Sequence, residues 1–347
     1  MTGFLRANAG LIVVGIIGVA LLIGLPIVLD LYTLLQITLY AIFAILALSL
    51  AFIWGFGGIL CFGHSAFFGL GAYTYAVAVT NMGDSTAPLL LAMALPALLA
   101  AGLGYFMFYA RISDVYVGVI TLTVTLIFYN MVNSTAGPQY HIGEAMLGGF
   151  NGMPNVPSLN IPFQPDNTLD PGGMFSVCMV LLLAVYFGLH ALLRTRFGRV
   201  LIAVRENEQR VEFLGYDARL HKLIAFAIGG ALAGLAGCLF TAWSNFVSPT
   251  AFSVVQSAQI IIWLMVGGSG TLLGPVIGAI AISWLTVEIG TQQVVNANVV
   301  LGAILLLFVL LVPNGVAPMV TDRLVPWLLS LRRPAAPARN VVREGKA

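Results

Sequence analysis

Cys61, His64 and Ser65 have the spacings most suggestive of chemistry in this chain. Cys61 and His64 match the C-x-x-H spacing of a zinc-ligand pair, but no second pair in the sequence completes a tetrahedral site. Ser65 beside His64 suggests a nucleophile and its base, yet adjacent residues on a helix point about 100° apart, so their side chains diverge. We therefore predict neither a metal site nor a catalytic residue, and we do not expect an enzyme.

A glycine-rich passage at 267–278 superficially matches a phosphate-binding loop. It lacks the lysine that a Walker A loop uses to reach the phosphates, and apolar runs enclose it on both sides, so we exclude an ATP site. A tight turn between two helices fits the composition better, with Gly274 and Gly278 forming a close-packing face. Gly230 and Gly234 have the same four-residue spacing. No cofactor is predicted.

The most densely charged segment inside the apolar part of the chain runs from Arg194 to Lys222. Gly215 is a natural helix stop, and the spacing of the apolar residues predicts one short amphipathic helix with a stripe of Val200, Val204, Val211 and Leu214. Acidic and basic residues alternate on it, so its surface suits a protein partner better than an anionic lipid surface. The alternative is an ordinary loop whose basic residues hold the membrane orientation.

The composition identifies the elements that must carry these residues as membrane helices. Hydrophobic residues make up 60% of the 347 and charged residues 8%, whereas a soluble domain has roughly 25% charged residues. A span needs about 20 apolar residues, so the chain holds on the order of ten helices and no large soluble domain. We predict an all-α, polytopic transmembrane bundle with spans near 7–29, 31–53, 59–80, 87–110, 112–133, 174–193, 223–243, 254–268, 272–289 and 293–312.

The charges predict how this bundle is oriented. The segment 134–173 is rich in proline and glycine and has acidic residues but no Lys or Arg, whereas 194–222 and the tail are rich in Arg. By the positive-inside rule, 134–173 is an outward-facing loop and both termini are cytoplasmic. The predicted organisation is a transmembrane domain over 1–320 and a basic cytoplasmic tail over 321–347. The glycines at 55–63 allow either a cytoplasmic turn or a mid-membrane helix break.

His64 is an ionisable group near membrane depth, in a passage where small residues alternate with aromatic ones. Such groups usually face a cavity or a hydrogen-bond partner. Two interpretations stay open: a residue of a transport path, or an interhelical hydrogen bond that only holds the fold together.

Taken together, the motifs resemble those of the permease subunits of ABC importers for branched-chain amino acids, a family that also includes urea and short-amide permeases. The resemblance covers roughly residues 35 to 315. It is carried by GHSAFFGLGAY at 63–73, GGFNG at 148–152, GR at 198–199 with RENE at 205–208 and LG at 214–215, ALAGLAG at 231–237, and GGSGTLLGP at 267–275. Cys61-Phe62 departs from the usual Ser-Leu, and residues 53–55 look closer to the urea-type members.

The resemblance implies a bacterial inner-membrane subunit that transports and does not itself hydrolyse ATP. Its expected partners are a second homologous permease, two cytoplasmic ATP-binding subunits, a periplasmic substrate-binding protein and the lipid bilayer, with no nucleic acid. By analogy, the 199–215 helix couples the permease to the ATPase, and the residues expected to do so are Arg199, Arg205, Glu206, Asn207, Glu208 and Gly215.

The chain has almost no charge within its spans, which suits a zwitterion or neutral amide handed over by a partner protein. The hypothetical path comprises Gly63, His64, Phe67, Tyr73 and Asn151. We predict transport of branched-chain or related amino acids. A urea or short-amide permease is the alternative, and an ion-coupled secondary carrier is the alternative from a different class.

Overall fold

The computed structural model describes residues 2–162, 164–292 and 302–303. Eleven α-helices dominate this described part of the chain. They are α1 Thr2–Val28, α2 Leu31–Leu50, α3 Ser65–Met82, α4 Thr86–Tyr109, α5 Asp114–Asn133, α6 Pro171–Arg194, α7 Arg196–Glu206, α8 Glu208–Phe213, α9 Ala218–Ser244, α10 Val254–Gly267 and α11 Leu273–Gln292.

Among the residues that the structure describes, seven helical segments are long and apolar enough to cross a membrane, by length and composition: Gly10–Val28, Leu31–Phe56, Thr86–Tyr109, Asp114–Asn133, Pro171–Arg194, Ala218–Ser244 and Leu273–Gly290. The α10 helix is apolar but has only 14 residues. These segments confirm the prediction of a helical membrane bundle.

Three sequence predictions differ from the structure or fall outside it. The predicted span 59–80 begins later, at Ser65, because residues 57–64 are not helical. The α9 helix begins at Ala218, before the predicted position 223, because the Asp217 side chain caps it there. The last predicted span, 293–312, and the tail 321–347 lie outside the residues that the structure describes, apart from 302–303.

Side-chain caps fix the starts of several helices. At the start of α2, the Asp30 carboxylate accepts a hydrogen bond from the Thr33 hydroxyl (2.7 Å) and one from the Thr33 backbone amide (3.3 Å). These hydrogen bonds lower the pKa of Asp30 below its usual value. The starts of α6, α7, α9 and α10 are capped in the same way by Asp170, Thr195, Asp217 and Ser253.

The α2 helix lies at the centre of the bundle and α1 at its edge. The span that contains α2 is 78% buried and α1 is 6% buried, although both are strongly apolar. Around this centre, α9 packs closely on α3 and α4 through glycines. A side chain at Gly71 would overlap Gly234, and one at Gly230 would overlap Pro96 and Ala100. Close backbone approach of this kind is how helices associate in lipid.

The loop between α5 and α6 contains short antiparallel strands. They are β1 His141–Ile142, β2 Ala145–Met146, β3 Met153–Pro154, β4 Asn160–Ile161 and β5 Gln164–Thr168, and β3 pairs with β6 Phe246–Val247 after α9. The Tyr75 hydroxyl of α3 also donates to the Pro157 carbonyl (3.0 Å). The loop is therefore fixed on the helices. Because α6 runs from this loop to α7, the two ends of the bundle are called the loop end and the charged end.

Candidate functional site

The connection between α2 and α3 is irregular and buried. The α2 helix continues into a π-helix, Ala51–Phe56, and residues 57–64, the junction segment, then run without regular structure to α3. Ile59, Cys61 and His64 in it are at most 1% exposed. Its first residues contact α7, and its last residues bond to the middle of α5. The segment is thus a turn at the charged end that returns to mid-bundle depth.

Two threonines of α5 form hydrogen bonds with the backbone amide and carbonyl of Gly63 in the middle of the bundle. The Gly63 amide donates to the Thr121 hydroxyl (3.3 Å), and the Thr125 hydroxyl donates to the Gly63 carbonyl (3.0 Å). A side chain at Gly63 would overlap the Thr121 carbonyl. Irregular backbone within a membrane is tolerated only where protein groups or water satisfy it, and here α5 supplies those groups.

His64 forms an interhelical hydrogen bond to α2. Its Nε2 lies 2.6 Å from the Ser49 hydroxyl oxygen, and that oxygen also lies 2.6 Å from the Leu46 carbonyl. Its Nδ1 lies 4.0 Å from the Cys61 sulfur. This geometry fits the interpretation of His64 as a residue that holds helices together.

Ser65 points to a different helix from its neighbour His64. Its hydroxyl pairs with the Ser257 hydroxyl (2.6 Å) and donates to the Ser253 carbonyl (3.2 Å) at the start of α10. His64 instead bonds to α2. The two side chains diverge as expected and do not form a nucleophile and base pair.

The charged segment folds as two helices, where the sequence predicted one. Asn207 is extended (φ −162°, ψ 99°), ends α7 and caps α8 by accepting a hydrogen bond from the Arg210 amide (2.9 Å). Val200, Val204 and Val211 pack together with Ala218. Leu214, predicted on the same apolar stripe, is 75% exposed because the break at Asn207 changes the helical phase.

The acidic residues of α8 pair with basic residues of their own chain. The Glu208 carboxylate lies 2.6 Å from the Lys222 amine of α9. The Glu212 carboxylate lies between Arg111 (4.0 Å) and Arg219 (3.9 Å). These contacts hold α8 against the helices of the bundle.

The outer side of the charged segment combines apolar and basic groups. Phe213 is 90% exposed, and Leu214 and Tyr216 are also exposed; these three residues, around Gly215 with its positive φ of 87°, are called the α8 tip. A recess of about 320 Å³ beside it is lined by Arg199 and Tyr216 among others. Within the described residues, neither Arg199 nor Arg210 forms an ion pair.

A cavity of about 640 Å³ opens near the loop end, between α3, α4 and α5. The stacked rings of Tyr73, Phe252 and Phe128 form one wall. The ring centroid of Phe252 lies 5.6 Å from that of Tyr73 and 5.5 Å from that of Phe128. The rest of the lining is almost wholly aliphatic. An aliphatic group of a ligand would be well accommodated here.

The hypothetical path residues occupy three separate places. Tyr73 lines the cavity, whereas Gly63, His64 and Phe67 are buried in the packed core and are not part of its lining. Asn151 is exposed in the short 3-10 turn Gly149–Asn151 of the loop. Of these five residues, Tyr73 is the one that lines this cavity.

The glycine-rich passage forms a tight turn between α10 and α11. A side chain at Gly274 would meet the Gly267 carbonyl, and one at Gly278 would meet the Trp263 carbonyl. In the same turn, the Ser269 carbonyl packs on Gly55 of the π-helix. The turn is therefore part of the packing around the end of α2.

The sequence of this bundle matches a known transporter family. The family described as branched-chain amino acid transport system, permease component, matches residues 32–310. The chain belongs to this family. Its membership confirms the resemblance that the sequence motifs carried, and it makes the chain a multi-pass membrane protein with a transport role and no indicated enzymatic function.

Individual relatives support the same assignment. The chain is 28% identical to the high-affinity branched-chain amino acid transport system permease protein LivM of Escherichia coli K12, over 83% of this chain and 70% of that protein. It is 27% identical to LivM of Salmonella typhimurium, with the same coverage. It is also 30% identical to the autoinducer 2 import system permease protein LsrC of Salmonella choleraesuis, over 31% of each chain. No solved structure matches.

Several residues of the site were missed by sequence reasoning. Ser49, Thr121 and Thr125 look like ordinary polar residues of apolar helices, and their partners lie 15 to 62 positions away. The guanidinium of Arg205 bonds to the carbonyl of Gly55, 150 positions away. The one available signal was the cluster of glycines at 55–63, which marks where backbones meet.

Proposed function

We propose that this chain is a permease subunit of an ATP-driven importer that carries branched-chain amino acids across a bacterial inner membrane. Family membership over residues 32–310 is the single observation that carries the proposal. The LivM relatives support amino acids over urea or short amides as the substrate class.

In this proposal the permease has about ten spans and both termini in the cytoplasm. The basic charged end faces the cytoplasm and the loop end faces the periplasm. The transmembrane permease domain covers 1–320, and 321–347 form a cytoplasmic tail. The partners are a second homologous permease, two ATP-binding subunits and a periplasmic substrate-binding protein.

The α7–α8 segment is the proposed contact with the ATP-binding subunits. The exposed α8 tip supports this role because large exposed apolar groups beside basic ones are typical of protein interfaces. Arg199, free of ion pairs within the described residues, offers its charge to the partner. Asn207 and Gly215 set the shape of the segment, and Glu208 anchors it to Lys222.

The proposed path enters at the loop end. Asn151 lies on the surface of the loop, and Tyr73 lines the apolar cavity beneath the β1–β2 hairpin. That cavity suits the aliphatic side chain of a branched-chain amino acid. Gly63, His64 and Phe67 form the packed region that has to move before solute can reach the charged end.

Uptake of radiolabelled leucine tests the proposal. The chain is reconstituted in vesicles with its partner permease, the two ATP-binding subunits and the binding protein. We expect leucine to accumulate only when ATP is present on the side of the membrane that carries the ATP-binding subunits. Excess valine or isoleucine should inhibit this accumulation, whereas urea should not. Accumulation by the chain alone, driven by a proton gradient without ATP, would refute the proposal in favour of an ion-coupled carrier.

A further inference from the structure

Arg205, at the end of α7, turns its guanidinium into the bundle. Nη1 donates to the Gly55 carbonyl in the last turn of the π-helix. Nε and Nη2 both donate to the Glu206 carboxylate, at 3.2 and 2.5 Å. All three nitrogens of the guanidinium are therefore engaged within the chain, and the side chain is only about a third exposed (36%).

The Gly55 carbonyl needs such a partner because it lies at the end of a helix. The amides that follow it bond to earlier residues: those of Gly57, Gly58 and Ile59 go to Phe52, Trp54 and Ile53. The last carbonyls of a helix have no partner in the helix itself, and a positive side chain there also complements the helix dipole. Arg205 thus serves as a C-terminal cap for the central helix of the bundle.

Gly57 and Gly58 lack side chains where α7 packs against the backbone. Gly58 has a positive φ of 68°, and a side chain on it would lie 2.7 Å from Cγ of Arg205. A side chain on Gly57 would lie 3.6 Å from the buried Leu201 of α7. The α7 helix therefore sits directly on the backbone between the π-helix and the junction segment.

We infer that Arg205 is a positioning residue that joins the charged segment to the end of α2, so that movement of α7 displaces the π-helix and the junction segment. This inference rests on the proposed function, in which the ATP-binding subunits move α7 and α8. The sequence predicted Arg205 and Glu206 at the interface with the ATPase. In this inference they instead belong to a contact inside the permease, between Arg205 of α7 and Gly55 of the π-helix, which is called the joint.

The junction segment extends this joint to the middle of the bundle. From Gly58 the chain runs back along the core to Gly63, which α5 holds, and to His64, which α2 holds. A shift of the π-helix end thus reaches α3, whose Tyr73 lines the apolar cavity. π-Helices within α-helices are frequent at functional sites, which agrees with a moving part at this position.

The substitution Arg205→Gln tests the inference in the fully assembled transporter in vesicles. We expect co-purification with the ATP-binding subunits to stay within twofold of wild type, and ATP hydrolysis likewise. The maximal rate of leucine uptake should fall at least tenfold, with the KM unchanged. Arg205→Lys, which keeps the positive charge but has a single donor nitrogen, should recover part of the uptake. Normal coupling in Arg205→Gln, or loss of the ATP-binding subunits from the complex, would overturn the inference.

Gly58→Ala disturbs the same contact from the Gly58 side, and it is the variant to use if the Arg205→Gln permease does not fold. The new methyl group would displace the Arg205 side chain, so uptake per ATP should fall at least fivefold. Gly83→Ala is the matched control, because Gly83 also has a positive φ (74°) but nothing lies within 4 Å of its added Cβ. Equal loss of uptake per ATP in both variants would attribute the effect to backbone strain and overturn the inference.

These outcomes are distinct from failure of the proposed function. If wild-type vesicles take up no branched-chain amino acid with ATP, the proposed function fails before any variant is compared. If wild type transports and Arg205→Gln couples normally, only the joint is refuted.

Discussion

The junction segment and the α8 tip both interrupt helices in an apolar chain, but they do so in opposite ways. In the junction segment the backbone of Gly63 and the ring of His64 are buried and bonded to neighbouring helices. At the α8 tip Phe213 is 90% exposed, while the nearby acidic side chains turn inward to Lys222 and the arginines.

The difference shows which constraint acts on each region. Backbone at membrane depth has no water to bond to, so the deep end of the junction segment, at Gly63 and His64, depends on its own chain for hydrogen bonds. At the charged end, water can bond to exposed polar groups, but exposing the apolar ring of Phe213 to water is unfavourable. The exposure of Phe213 therefore needs a physical reason. A partner surface supplies that reason. We therefore expect substitutions in the junction segment to lower the folding stability of the permease. Substitutions at the α8 tip should instead weaken its assembly with partner subunits.

The largest effect on stability is expected for Gly63→Ala. Its methyl group would overlap the Thr121 carbonyl, which belongs to the backbone of α5 and cannot turn away. We expect a loss of about 3 kcal/mol of folding stability, as for overpacked cores, measured by thermal unfolding in detergent micelles.

Gly102→Ala in α4 is the control for this substitution. Nothing lies within 4 Å of a Cβ added at Gly102, so this variant should unfold at or above the wild-type temperature, because alanine favours a helix by up to about 1 kcal/mol over glycine. Equal destabilisation of both variants would contradict the tight contact between Gly63 and α5.

The next effect in size is expected for the hydrogen bond between Ser49 and His64. Ser49→Ala leaves Nε2 of His64 buried without its hydrogen-bond partner, which costs about 1–3 kcal/mol in a protein interior. A double-mutant cycle with His64→Leu should give a coupling of about 0.6 kcal/mol or more, the average for hydrogen bonds between membrane helices. A coupling of zero would mean that the two side chains act independently.

Lys222→Met should have a smaller effect, because it breaks an ion pair at the water-facing end. The pair is half-buried, because the side chain of Lys222 is 12% exposed and that of Glu208 is 39% exposed. Glu208 regains water when Lys222 is lost. The cost in stability should be about 1 kcal/mol or less. It should shrink further between low salt and about 1 M salt, where exposed pairs are screened. A salt-independent loss of several kcal/mol would show that the pair is effectively buried.

The sequence was sufficient for the membrane class, most helices and the family, because long apolar runs and glycine motifs are local signals. It also marked 55–63 as a place where the helix ends. It could not supply the partners of that segment, since Thr121 and Thr125 reach Gly63 only through the tertiary fold. From the sequence, the acidic residues of α8 looked available to a partner. Their actual partners are Lys222, which lies on another helix, and Arg111, which is distant in sequence.

The single predicted helix over 199–215 was wrong for a local reason. Counting apolar positions in steps of three and four carries the helical phase through Asn207, but Asn207 is extended and restarts the phase at Glu208. Val211 still reaches the apolar side, whereas Leu214 does not. The asparagine followed by a glutamate is itself an N-terminal capping signal, so this break was available in the sequence.

The smallest effect on stability, and the one that separates the two regions most sharply, is expected for Phe213→Ser. Because Phe213 is 90% exposed, its loss should change the unfolding free energy by no more than about 0.5 kcal/mol. Exposed aromatic residues at the centre of an interface often carry much of the binding energy. We therefore expect the Kd for the ATP-binding subunits to rise at least tenfold, about 1.4 kcal/mol.

Leu220→Ser is the matched control for the tip, because Leu220 is a partly exposed apolar residue (42%) at the same end of the bundle, on α9. It should leave the Kd within twofold of wild type. If Leu220→Ser weakened binding as much as Phe213→Ser, the charged end would bind through general apolar exposure and the α8 tip would not be the contact. If Phe213→Ser unfolded the permease instead, the tip would belong with the junction segment, as a region that the fold itself requires.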